Sequence, residues 1–113
     1  MTKKNINMMV KKNARLKGTI NTSESIEIQG IFKGKIFSNK TVYIEPTAQI
    51  DGDIIAENVI IRGNVKGNVT AKAKIHLTST SKLEGQIIAK RFIIDNGAYF
   101  LGQCKRIKPK LAS

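Results

Sequence analysis

The pattern apolar, any residue, Gly, any residue, apolar occurs six times in this chain, and it narrows the choice of folds more than any other feature. The copies centre on Gly18, Gly34, Gly52, Gly67, Gly85 and Gly102, and their spacings are 16, 18, 15, 18 and 17 residues. The flanking apolar pairs are Leu16/Ile20, Phe32/Ile36, Ile50/Ile54, Val65/Val69, Leu83/Ile87 and Phe100/Cys104. Between copies lies a second alternating pair: Ile26/Ile28, Val42/Ile44, Val59/Ile61, Ile75/Leu77 and Phe92/Ile94. Two residues past each of the first five copies stands a small side chain: Thr22, Ser38, Ala56, Ala71 or Ala89. Self-similarity at one short period is the mark of a stacked repeat.

Alternation at period two makes each apolar segment a strand with one face inward. The segments are too short and too widely spaced for long hairpins, and no window shows helical periodicity. A turn of about 17 residues fits a coil of short strands around a narrow core, each strand pairing in parallel with its counterpart in the next coil. The expected fold is therefore all-β: a parallel β-helix (solenoid), right-handed or otherwise irregular, of about six rungs spaced by roughly 4.8 Å. Three six-residue repeats would make a left-handed coil of about 18 residues, as in acyltransferase-like proteins, but spacings of 15 to 18 break that register. Each motif glycine shares the inward parity of its apolar neighbours. It is expected at a corner, where a Cβ would crowd the interior or where φ must be positive.

The composition suits this core. Of 113 residues 41% are hydrophobic and only 5% aromatic, with no Trp, so Ile, Val, Leu and Ala must fill the interior. The net charge of +12 lies mainly outside the repeats: 1–17 carries six basic residues and 105–113 four, with no acid in either. The expected organisation is a disordered basic tail over 1–15, a β-helix over 16–104 and a second disordered basic tail over 105–113. Such tails suit an anionic surface, either a membrane leaflet or nucleic acid. No apolar run approaches the roughly 20 residues of a transmembrane helix, and no secretory h-region is evident. A cytoplasmic location is expected.

No catalytic set emerges. His76 lies between Ile75 and Leu77 and so turns outward, and one His with one Cys cannot build a zinc site. Asp51 and Asp53 flank Gly52 on the outward parity, and no P-loop is present. Neither a catalytic, metal nor cofactor site is expected. Cys104 takes an aliphatic position in the last motif, where a small buried apolar role is expected.

An open stack has two ends, each with unpaired strand groups and a bare core section. The C-terminal end is expected to offer Phe92, Ile94, Phe100, Leu101 and Cys104, and the N-terminal end Leu16 and Ile20, for contact with another copy. In the first tail Lys3, Lys4, Ile6, Met8, Met9, Val10, Lys11 and Lys12 combine charge with apolar groups, a candidate membrane-association segment.

The six repeats, together with the closing Gly97-Ala98-Tyr99-Phe100-Leu101-Gly102-Gln103-Cys104, resemble the bactofilin family of bacterial cytoskeletal proteins over roughly 16–104. The resemblance implies a right-handed β-helix between disordered tails and end-to-end polymerisation into filaments without a nucleotide. It also implies scaffolding at the inner face of the cell membrane, with cell-wall enzymes among the partners. The alternative functions are a small polyvalent module whose basic tails hold nucleic acid and, last, a left-handed β-helix acyltransferase-like protein.

Overall fold

A computed structural model describes residues 6–106. It contains strands β1 (Ile6–Val10), β2 (Arg15–Thr22), β3 (Ser25–Ile28), β4 (Ile31–Ser38), β5 (Thr41–Ile44) and β6 (Gln49–Ile61). These continue with β7 (Asn64–Lys66), β8 (Val69–Leu77), β9 (Lys82–Ala89), β10 (Arg91–Ile94) and β11 (Tyr99–Arg106). Every pairing between them is parallel, and each joins a strand to its counterpart one coil away. The fold is a parallel β-solenoid.

Register turns the repeats into columns. Leu16, Phe32, Ile50, Val65, Leu83 and Phe100 stack one above another. Ile26, Val42, Val59, Ile75 and Phe92 form another column, with Ile28, Ile44, Ile61, Leu77 and Ile94 beside it. Inner members such as Phe32, Ile36, Ile54 and Leu83 are fully buried. Ser38, Ala56, Ala71 and Ala89 are buried as well, which accounts for their size. The Thr22 and Ser38 hydroxyls each accept from the backbone N–H two residues on, at 3.1 Å, and so hold the following turn.

Two corners explain the uneven glycine spacing. Between the second pair and the next motif the chain runs either through a tight step or through a full β-turn. The tight steps are Gln29-Gly30 and Arg62-Gly63. The turns are closed by N–H to C=O bonds from Ala14 to Lys11, Ala48 to Glu45, Ser81 to Thr78 and Ala98 to Asp95. Each tight step nests on a turn of the preceding coil: a Cβ on Gly63 would lie 2.3 Å from the Glu45 carbonyl oxygen. At the other corner one residue is gained between Ala56/Asn58 and Ala71/Lys74, seen as a register shift. The columns are kept while the coil length varies.

The motif glycines have positive φ, as expected, but the crowding comes from elsewhere. A Cβ on Gly52 would point along the rod axis and meet the Gly34 carbonyl oxygen at 1.8 Å, not the interior. The glycines form a ladder in which backbone rests on backbone.

The N-terminal boundary also differs from expectation. Ile6–Val10 is not a tail but strand β1, paired with β3 so that Met8 registers with Ile26 and Val10 with Ile28. Val10 is 3% exposed, because it continues the apolar column over the first coil. At the other end β11 runs to Arg106, two residues past the expected limit of 104. Residues 1–5 and 107–113 of the expected tails lie outside the described residues.

Gly52→Ala is expected to lower stability by about 3 kcal/mol or more, since it adds a backbone collision to a strained φ of +147°. Gly18→Ala meets nothing within 4 Å and is expected to cost only the strain, about 1–2 kcal/mol. Denaturant unfolding of the two variants, followed by circular dichroism, checks the difference.

Candidate polymer contact surfaces

The two ends of the rod differ. At the C-terminal end, among the described residues, β10 pairs only with β8 and β11 only with β9, and no coil covers either strand. Phe92, Ala98 and Phe100 are half-buried against the core below, and Ile94 is 51% exposed although its column is fully buried one coil earlier. These groups form a bare apolar section, as expected for Phe92, Ile94 and Phe100. Leu101 does not belong to it. It registers with Glu84 and alternates with Phe100, so its exposed side chain stands on the side of the rod.

Cys104 lies over Ile87, in the column formed by the second apolar residue of each glycine motif, but it is exposed rather than buried. The expected burial fails because the column ends there. Its partly apolar surroundings raise the thiol above its ordinary pKa, and the Arg106 charge offsets part of that rise.

At the N-terminal end β1 covers β3, while among the described residues β2 pairs only with β4 and keeps one edge free. Leu16 is 45% exposed there and Ile20 only 9%. Leu16 is therefore the apolar group that this end presents, and Ile20 belongs mainly to the rod's own core. The proposed membrane segment is divided by the same strand. Val10 is buried, Met9 on the opposite parity is exposed, and Lys11 and Lys12 are exposed in the turn after β1. A buried Val10 cannot enter a bilayer. The backbone of Ile6 and Met8 is committed to β1, and Lys3 and Lys4 lie outside the described residues.

The sides of the rod carry matched charge in places. Lys33, Asp51, Lys66 and Glu84 follow one another in register along a shallow surface groove. His76 Nε2 lies 3.0 Å from Asp95 across two coils. Among the described residues no three His, Cys, Asp or Glu gather as a metal-binding group, and no helix is long and apolar enough to cross a membrane.

A rod of in-register parallel coils around an apolar core defines the class of β-solenoid proteins. The family model for bactofilins, described as polymer-forming cytoskeletal proteins, matches residues 8–105. The chain belongs to the bactofilin family and is thus a non-enzymatic structural polymer protein. A solved structure, the cryo-EM reconstruction of Thermus thermophilus bactofilin double helical filaments, superposes with a TM-score of 0.81 at 22% identity. That match covers 88% of this chain and 99% of the other. No curated protein matches the chain.

The C-terminal section yields two expected outcomes. Phe100→Arg places a charge on apolar surface whose burial is worth roughly 1.5–3 kcal/mol per side chain. It is expected to give short oligomers with unchanged β-sheet circular dichroism, scored by electron microscopy. Cys104 should alkylate slowly at neutral pH and faster as pH rises toward the raised pKa, because only the thiolate reacts. In the polymer the same thiol should be protected, which mass spectrometry of labelled monomer and filament would show.

Proposed function

We propose that this chain stacks end to end into filaments without nucleotide, and that these lie at the inner face of the cell membrane to organise cell shape or cell-wall machinery. Membership of a polymer-forming cytoskeletal family supports the polymer. The observation that carries the end-to-end mode is the bare last coil. Ile94, Phe92 and Phe100 stand at the end of columns whose interior members are buried. Another copy laid on this section would cover these groups and pair the free strand edges. At the opposite end Leu16 and the free edge of β2 offer the corresponding surface.

Gly18 adds an independent reason to place a neighbour at the N-terminal end. The other motif glycines each support the backbone of the coil before, whereas Gly18 faces open space on that side. Continuation of the ladder by a second copy would give this glycine the same closely approaching neighbour. For the membrane, support comes from Lys11 and Lys12, exposed beside β1, and from the charge of the remaining N-terminal residues Lys3 and Lys4. Cell-wall enzymes as partners follow from the family's scaffolding role alone. The nucleic-acid alternative draws on the net charge of +12, and salt separates the two. Apolar stacking persists in moderate salt, whereas phosphate binding falls steeply.

Electron microscopy of the purified chain without nucleotide tests the reading. Long filaments are expected, stable to moderate salt. Gly18→Ala should remain folded yet form shorter filaments than the wild-type chain. Failure of the wild-type chain to polymerise over a wide concentration range would refute end-to-end stacking.

A further inference from the structure

One corner of the rod carries an ion pair in the N-terminal half and an excess of positive charge in the last two coils. In the corner before β5, Lys40 Nζ pairs with Glu24 of the preceding coil at 2.9 Å. The same corner holds Glu57 one coil later, Lys72 and Lys74 in the coil after that, then Lys90 and Arg91 in the next. Lys74 and Arg91 are direct partners in the β8–β10 ladder. Like charges directly opposite on paired strands are destabilising. Among the described residues none of these four has a salt-bridge partner. Lys72, Lys90 and Arg91 are exposed and Lys74 half-buried. The ridge is flanked by apolar groups: Ile93, on the outward parity two residues past Arg91, is 40% exposed, and Ile88 on the other flank is half-buried.

We propose that this ridge is the surface with which the rod lies on an anionic bilayer, a reading that rests on the membrane location proposed above but assigns the contact to the folded body. Basic side chains flanked by an exposed aliphatic one suit lipid phosphates with the acyl boundary beneath. Single-stranded nucleic acid would be better served by aromatic side chains on which bases stack, and the ridge has none. A second copy is disfavoured by the charge of the chain itself. Its carboxylates are scattered, and Glu24, Glu45 and Asp95 already have basic neighbours. The ridge runs along the side of the rod and reaches the last coil, where Arg91 precedes Phe92 in β10. Each subunit of a filament would present it again, so weak single contacts would sum by avidity.

The test is sedimentation of the full-length chain with vesicles of phosphatidylglycerol and phosphatidylcholine, and with phosphatidylcholine alone. Lys90→Gln/Arg91→Gln and Lys72→Gln/Lys74→Gln are compared with Lys33→Gln/Lys66→Gln, which removes the same charge from the matched ladder. Each ridge pair is expected to weaken binding of unpolymerised protein to the anionic vesicles about 30-fold, at about 1 kcal/mol per charge. The control should bind nearly as well as the wild-type chain, and filament formation should be unchanged in it and in Lys72→Gln/Lys74→Gln. Equal losses in ridge and control variants would overturn the ridge, since net charge alone would then explain binding. Undiminished binding by the ridge variants, with loss on removal of residues 1–5, would overturn the ridge and leave the membrane location standing. A wild-type chain that ignores anionic vesicles would overturn both. Binding of duplex DNA in place of vesicles, abolished by the same substitutions, would reassign the ridge to nucleic acid.

Discussion

Backbone resting on backbone, glycine over glycine, is the constraint on which the rest of this rod depends. The Gly34 carbonyl stands where a Cβ of Gly52 would be, and the relation recurs coil after coil. Adjacent coils must therefore approach within a distance that only hydrogen allows. That approach holds the neighbouring strands in register, and the register in turn aligns Phe32 with Ile50 and Ile36 with Ile54. The apolar columns bury their side chains because the ladder has placed them one above another. Hydrophobic burial supplies the larger part of the stabilising energy, while the ladder decides which groups receive it.

The corners show how a repeat can be irregular in length and regular in structure. A β-turn such as 45–48 adds two residues relative to a tight step such as Arg62-Gly63. The step then fits against the turn because Gly63 lacks a side chain. The irregularity is absorbed at the edge of the coil, outside the columns.

Much of this was legible in the sequence because inward positions alternate and because a glycine marks each coil. The period-two pairs identified the buried columns, and the small residues Ala56, Ala71 and Ala89 identified a tight corner. Strand β1 was not legible. It lacks the glycine motif, and Met8 and Val10 sit among Lys and Asn residues that read as a tail, although their parity is that of a strand. Cys104 was misjudged because burial in a solenoid requires a coil on each side, which a local motif does not encode. Leu101 was assigned to the end section by nearness in sequence, whereas parity puts it on the side. The basic ridge was invisible for a different reason. Lys72, Lys74, Lys90 and Arg91 are separated along the chain and meet only when coils stack.

The bare last coil has a thermodynamic consequence. In a solenoid each coil is supported only by its neighbours, so a terminal coil with one neighbour is the first to fray. In the end-to-end stacking proposed above, a copy laid on that end would turn the terminal coil into an interior one, so the contact that lengthens the polymer would also complete the fold. Binding that favours the folded state stabilises it by mass action. The resistance of the end coils to unfolding would thereby become a function of protein concentration. A dilute chain would keep its middle coils and loosen β10 and β11, and assembly would restore them.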